Sequence, residues 1–346
     1  MTTCLLPASR RALLQGAGLA VLGGLAEAAL GPRPARAAAM NGPAEPALWS
    51  AEYWAEKGAV KLAMYRKRLG APKDGERPRP VLFMVHGSSI SARPSFDLSV
   101  PGHGEYSMMN VFAGYGFDVW TMDHEGYGRS SRTAGNSDIA SGVEDLKAGI
   151  EVVTRETGEK RAHFYGVSSG ALRAGAFAMA APERVARLAL EAMTWTGKDS
   201  PTLTKRGEDV EFFRSHNRRP RGRDMILSIF TRDKPGTSDP AVGEALADAE
   251  LQYGDSIPTG TYLDMTANLP VVDPTKVTSP VIVLRGEYDG IAALPDLLAF
   301  FAQLPSADRQ FAILPGAAHA VSLGRNRDQL WHVLRAFLDM PPRHDV

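Results

Sequence analysis

The feature that most constrains this chain is a rhythm of short apolar runs, each closed by a glycine or a turn, alternating with helical stretches. PVLFMVHG (Pro80–Gly87), FDVWTMD (Phe117–Asp123), RAHFYG (161–166), RVARLALEAM (184–193), SPVIVLRG (Ser279–Gly286) and RQFAILPG (309–316) all read as strands. An apolar run without alternation is what a strand buried on both faces requires. Between them a helix is expected from about Asp138 to Glu156. Its apolar residues recur at Ile139, Val143, Leu146, Ile150 and Val153, and Gly158 stops it. ALRAGAFAMAA, ended by Pro182, DLLAFFAQL and RNRDQLWHVLRAFLDM read as further helices. Strands alternating with helices imply right-handed crossovers and a mostly parallel sheet covered on both faces. Ahead of this series, Ala51–Gly70 reads as two strands turning at Lys57-Gly58, with the linker APKDGERPRP behind them. The alternation breaks from about Gly197 to Leu269, a polar, arginine-rich stretch read as an inserted helical cap. The expected division is 1–39 as a signal, 40–196 and 271–346 as the two parts of the core, and 197–270 as the cap.

The N-terminus reads as an export address. Ser9-Arg10-Arg11 precedes a mildly apolar, glycine-containing run and then PARAAA, with cleavage expected after Ala37 or Ala39. Paired arginines ahead of a weakly hydrophobic run resemble a twin-arginine signal. Glu27 and four glycines make this run a poor transmembrane helix, which wants about 20 strongly apolar residues. A periplasmic or secreted protein, without stable membrane insertion after cleavage, is the expectation. Cys4 is the single cysteine and falls inside the signal, which excludes a disulfide framework, a thiolate metal site and a cysteine nucleophile from the mature chain. With 39 basic and 39 acidic residues, nothing points to nucleic acid.

One pentapeptide carries chemistry. GVSSG (166–170) matches G-x-S-x-G and sits between an apolar strand and an alanine-rich helix. A strand turning straight into a helix strains the middle residue and pushes its side chain above the sheet edge, making Ser168 a candidate nucleophile. Gly166 and Gly170 relieve the crowding, and the helix N-terminus offers N–H groups to a developing oxyanion. A serine hydroxyl needs a base, and ligands gather at the carboxyl ends of the strands. His319, in PGAAHA directly after a late strand, meets that condition. Of the other seven histidines, His163 starts a strand at the wrong end of the sheet. His332 lies in the final helix, His344 in the tail and His216 in the cap. His86 and His124 adjoin other motifs, and His103 is the main competitor.

The third member must orient the imidazole. Asp289, in VIVLRGEYDG, gives the order Ser168, Asp289, His319, the nucleophile–acid–histidine order. Glu191, ending the strand after the nucleophile helix, is the alternative acid, with pairing to a cap arginine or a backbone N–H as its structural role. Glu287 is a weaker third option. The oxyanion hole calls for two donors. One is the N–H of Ser169; the other comes from HGSS, with Ser88 ahead of Ser89. DHEGYGRS (123–130) reads as a structural turn, with Glu125 or Tyr127 bordering the pocket.

Taken together, HGSS at 86–89, DHEGYGRS at 123–130, GVSSG at 166–170, RGEYDG at 285–290 and PGAAH at 315–319 make the chain resemble the α/β-hydrolase superfamily. The resemblance implies an eight-stranded, mainly parallel sheet, a Ser-His-acid triad and a cap over the pocket. It implies ester hydrolysis through an acyl-enzyme, with no cofactor or metal and a small-molecule ester as the partner. Members more often take the acid after the later strand, as Asp289 would be; pancreatic-type lipases take it after the earlier one, as Glu191 would be. Serine rather than aspartate at 168 is unlike haloalkane dehalogenases and epoxide hydrolases. Hydrolysis of an amide, a lactone or a carbon–carbon bond stays open, as does a non-catalytic binding protein on the same fold. The long stretch after HGSS, residues 89–108, is expected to form pocket wall. The five arginines of RSHNRRPRGRD (214–224) read first as a solvated helix face and second as an anion site.

Overall fold

The computed structural model describes residues 47–341, so the expected signal at 1–39 and His344 lie outside the described residues. Strands β1 (Leu48–Lys57) and β2 (Val60–Leu69) form an antiparallel hairpin around Gly58, whose φ of 59° suits a residue without a Cβ. The remaining sheet strands are β3 (Val81–Val85), β4 (Asp118–Met122), β5 (Ala162–Val167), β6 (Val185–Glu191), β7 (Val281–Gly286) and β8 (Arg309–Leu314). They join β1 and β2 in one eight-stranded sheet of order β1-β2-β4-β3-β5-β6-β7-β8. Only β2 runs against its neighbours; every pair from β4 to β8 is parallel. All five residues of β3 and of β4 are buried, which explains their unbroken apolar runs.

Alternation along each strand divides the core in two. Phe83 and Val85 face helices α2 (Ile139–Thr157) and α3 (Ser169–Ala180). Leu82 and Met84 face the opposite layer, which includes α1 (Met108–Gly114). The Asp138 side chain caps α2 by accepting from Ser141 N–H at 2.7 Å, and Gly158 ends it at φ 77°. Residues 89–108 are not one long loop. A turn of helix at Ala92–Phe96 and a two-residue pairing of Leu98–Ser99 with Glu105–Tyr106 organise them, and Ser107 then caps α1.

Between β6 and β7 lie α4 (Pro201–Arg206), α5 (Arg223–Thr231) and α6 (Pro240–Leu251), with an antiparallel pairing of Arg218–Pro220 and Ser256–Pro258. Ile226, Phe230, Val242 and Leu246 cluster there with Ile90 and Leu98. A buried ion pair of Arg221 with Glu250 locks this segment to the stretch after β3, because Glu250 also accepts from Ser91 N–H at 3.0 Å and Ser91 Oγ at 2.6 Å. The sheet closes with α7 (Leu294–Ala302) and α8 (Arg327–Leu338). Among the described residues, no helix is long and apolar enough to cross a membrane.

Candidate active site

Strand β5 passes into α3 with only Ser168 between them, and that residue takes φ 57° and ψ −124°. Such a conformation costs a non-glycine residue about 1–3 kcal/mol and persists only where its surroundings enforce it. The enforcement is local. Ser168 N–H donates to Glu191 O at 2.8 Å. A Cβ on Gly166 would stand 2.4 Å from Gly170 O, and one on Gly170 would stand 2.2 Å from Val85 O. Only glycine lets β3, β5 and α3 approach this closely, so the two glycines of the pentapeptide are packing requirements.

His319 Nε2 lies 3.1 Å from Ser168 Oγ. On its other side Nδ1 lies 2.9 and 3.0 Å from the two carboxylate oxygens of Asp289. Asp289 Oδ1 also accepts from Ile291 N–H at 2.8 Å and Ala292 N–H at 3.0 Å. Burial alone would raise the Asp289 pKa. The charge and hydrogen bond of His319 and these two N–H groups outweigh it and hold the carboxyl below its ordinary value. The group therefore stays an anion, as support of an imidazolium demands.

The alternative acid is turned elsewhere. Glu191 is fully buried and its carboxyl is bonded to the Tyr165 hydroxyl, neither a cap arginine nor a backbone N–H. Burial raises its pKa to about 8, opposed by the Tyr165 hydrogen bond and reinforced by the nearby Asp289 charge. Glu287 accepts from Gly316 N–H at 2.7 Å on the surface. His103 is exposed and pairs with Asp239 at 3.1 Å instead.

Ser88 and Ser169 meet beside Ser168: Ser88 Oγ donates to Ser169 Oγ at 2.8 Å and accepts from Thr261 Oγ1 at 2.9 Å. The N–H of Ser169 belongs to the first turn of α3, where no intrahelical acceptor exists. Ser89 bonds to the Tyr262 hydroxyl at 2.6 Å. Neither Tyr127 nor Glu125 lines the cavity at Ser168; the Tyr127 hydroxyl donates to Ser88 O at 2.9 Å.

Behind this loop stands a buried polar relay. His86 Nε2 accepts the His124 N–H at 3.1 Å, so its proton is on Nδ1, which donates to Gly87 O at 2.8 Å. His124 Nδ1 contacts Asp145 at 3.0 Å, and Asp145 is paired with Lys57 at 2.5 Å. Burial keeps His86 neutral, its pKa well below the ordinary imidazole value, and lowers that of His124 to about 4. Glu125 bonds to Lys57 at 2.7 Å as part of the same set.

The cavity above Ser168 and His319 is lined by Gly87 to Ile90 on one side and by Ile229, Phe230, Leu246, Ile291 and Leu323 around it. Arg206 and Arg232 also face it. Neither belongs to the arginine-rich stretch singled out in the sequence. Of those five, Arg214 and Arg223 pair with surface carboxylates. Arg218 bonds to Ser256 and Gly126, Arg219 lies over Tyr262, and Arg221 is the buried partner of Glu250. Arg214 and Arg223 thus sit exposed on helices as expected, whereas residues 218–220 are strand and Arg221 is buried. The sequence carried no signal for Arg206 and Arg232, because only the tertiary fold brings them to the serine. Asp233, Asp289 and His319 bring possible metal-ligating atoms within 4.8 Å of one another. Each is engaged within the protein: His319 with Asp289, and Asp233 with Arg232 at 2.8 Å.

The profile of the family described as serine aminopeptidase, S33, matches residues 104–325. Over 263 residues the chain is 26% identical to a 2-hydroxy-6-oxononadienedioate/2-hydroxy-6-oxononatrienedioate hydrolase of Paraburkholderia phymatum, an alignment covering 73% of this chain and 83% of that protein. Among solved structures, the 2-hydroxy-6-oxo-6-phenylhexa-2,4-dienoate hydrolase of Rhodococcus sp. strain RHA1 matches with a TM-score of 0.58 at 18% identity, covering 85% of this chain and 100% of that one. The carboxylesterase CesB of Bacillus subtilis matches with a TM-score of 0.57 at 20% identity, covering 84% and 92%. At such identities the structural likeness speaks for the fold.

Proposed function

The chain belongs to the family described as serine aminopeptidase, S33, and has the α/β-hydrolase fold; from that premise we propose that it hydrolyses carboxylic esters of small or medium size through an acyl-enzyme. The observation that carries this reading is the unbroken contact from Ser168 Oγ through His319 to Asp289. Ser168 attacks the ester carbonyl while His319 Nε2 takes its proton. Asp289 keeps the imidazole in the tautomer with hydrogen on Nδ1 and balances the imidazolium. The N–H groups of Ser169 and Ser88 receive the oxyanion, and His319 returns its proton to the departing alcohol. Water then repeats the sequence on the acylated Ser168. The 197–270 segment acts as the cap, its Ile229, Phe230 and Leu246 closing an apolar pocket suited to a short acyl chain.

The test is chemical. A fluorophosphonate added to the purified protein should give one covalent adduct, mapped to Ser168, and should stop turnover of short 4-nitrophenyl esters. Ser168→Ala should abolish both. Absence of the adduct, or full activity in the variant, would overturn the proposal. A second reading, carbon–carbon bond hydrolysis, is favoured by the printed activity of the Paraburkholderia relative. A 2-hydroxy-6-oxo-dienoate cleaved faster than any ester would decide for it. The family description keeps amide cleavage in the same comparison. The export reading of residues 1–39 stands as a proposal too, with Arg10→Lys and Arg11→Lys together expected to hold the protein in the cytoplasmic fraction.

A further inference from the structure

Arg206 ends α4 half-buried and faces the cavity that holds Ser168 and His319. Its guanidinium lies 5.2 Å over the Tyr262 ring, and Arg219 lies 4.6 Å over the same ring. Arg232, the third guanidinium of the group, is matched by Asp233 at 2.8 Å. Among the described residues, no carboxylate forms an ion pair with Arg206 or Arg219, and Arg206 makes no side-chain hydrogen bond. Burial, together with the neighbouring cations Arg232 and Arg219, pulls the Arg206 pKa below its ordinary value, against the partial relief of Tyr262 and Asp233. Asp233 is shared between Arg232 and Arg206, so the group carries more cationic than anionic charge, and an incoming anion would restore the balance. A guanidinium offers parallel N–H donors that match a carboxylate. Ile229, Phe230, Ile291 and Leu323 give the cavity shared by Arg206 and Ser168 its apolar wall. The cavity therefore combines a serine, apolar walls and a cation whose one nearby carboxylate, Asp233, is already paired with Arg232.

Resting on the ester-hydrolase reading, we propose that Arg206 determines specificity by binding a carboxylate that the substrate carries on an apolar chain, away from the scissile bond. The preferred substrates are then half-esters and other esters with a free carboxylate.

The experiment compares kcat/KM for mono-4-nitrophenyl glutarate with 4-nitrophenyl valerate, and for 4-(butyryloxy)benzoate with phenyl butyrate, which puts the charge on the acyl side in one pair and on the alcohol side in the other. At least one anionic ester should exceed its neutral partner by 10-fold or more. Arg206→Gln should lower that ratio by roughly 30-fold, the scale of one lost charge-assisted hydrogen bond. Arg223→Gln, an exposed arginine paired with Glu244 and Asp248, should keep the wild-type ratio. No preference in either pair, or equal losses on both esters in Arg206→Gln, would overturn the inference. A turnover-independent arm uses glutarate itself, which should raise the Tm of the wild type and not of Arg206→Gln. If fluorophosphonate labelling fails, the ester reading falls alone and this arm still decides the anion site: a shift lost in the variant supports it, and no shift overturns it.

Discussion

His319 faces Asp289 squarely, Nδ1 at 2.9 and 3.0 Å from its two carboxylate oxygens, while Glu191 is turned into a bond with Tyr165. The two carboxyls therefore differ in what their loss should do. Asp289→Asn should cut kcat by roughly 10³- to 10⁴-fold, because an amide cannot hold the required tautomer. Glu191→Gln should stay within about 10-fold. Equal losses would mean that the imidazole is supported from elsewhere.

Glu191 also sets a slope in stability. Its folded pKa is raised to about 8 against an ordinary value of 4.5. Between those values the unfolded chain gives up the proton and the folded chain keeps it, so this group makes stability fall as pH rises from about 4.5 to 8. Glu191→Gln removes this pH dependence. The variant's urea midpoint should improve relative to wild type at pH 8 compared with pH 5; a difference that is flat with pH would show that Glu191 is already ionised in the fold.

The buried histidines act in the opposite direction. His163 and His124 are lowered to about 4 by burial, with nearby arginines adding to it. Between 6.5 and 4 the unfolded chain takes up protons that the folded chain refuses, so their contribution is present above pH 6.5 and is lost as pH falls. His163→Phe, beside Phe117, should lessen the fall in denaturant midpoint between pH 7 and 4.5. An unchanged fall would assign acid sensitivity to other groups.

The strained elbow gives a packing prediction. Gly170→Ala would place a methyl 2.2 Å from Val85 O and 2.5 Å from His86 O. Backbone cannot yield there without moving the loop that follows β3. Destabilisation of at least 3 kcal/mol is expected by urea denaturation; a loss under about 1 kcal/mol would show that the turn is looser than its geometry.

How much of this was legible beforehand follows from what each residue depends on. The inner strands, β3 above all, were legible because burial on both faces removes polar residues from them, which does not hold for β1 or the part-exposed edge strand β8. Ser168, Asp289 and His319 were legible as candidates because each sits in a loop just past a strand. The helix Met108–Gly114 was not, since MMNVFAG is apolar on nearly every face and shows no 3.6-residue contrast; its only local mark is the Ser107 cap. The partner of Glu191 was hidden because Tyr165 lies on the neighbouring strand, two residues away in register from its opposite number Val167. Arg206 and Arg232 looked like ordinary charges in a polar segment, since Ile229 and Phe230 beside Arg232 read in sequence only as apolar residues and no motif ties them to the cavity.

The Arg221–Glu250 pair carries the last prediction. Both side chains are buried, and Glu250 otherwise meets only Ser91 N–H and Ser91 Oγ. Burial raises Glu250 to about 7 even with Arg221 beside it. Arg221→Met leaves a carboxyl that must either hold its proton or stay charged without a partner, and breaking such a pair costs about 3–5 kcal/mol. The cost has a pH signature. Well below 7 the carboxyl is protonated in both proteins and Arg221 contributes little through charge. Above 7 the wild type ionises against Arg221 and the variant cannot, so the destabilisation should grow between pH 6 and 8.5. Adding Glu250→Gln to Arg221→Met should recover part of the loss at pH 8.5 and little at pH 6. Because this pair ties Phe230 and Leu246 to the stretch after β3, kcat/KM should fall with it. A pH-independent loss in urea denaturation would assign the Arg221 contribution to packing instead of charge.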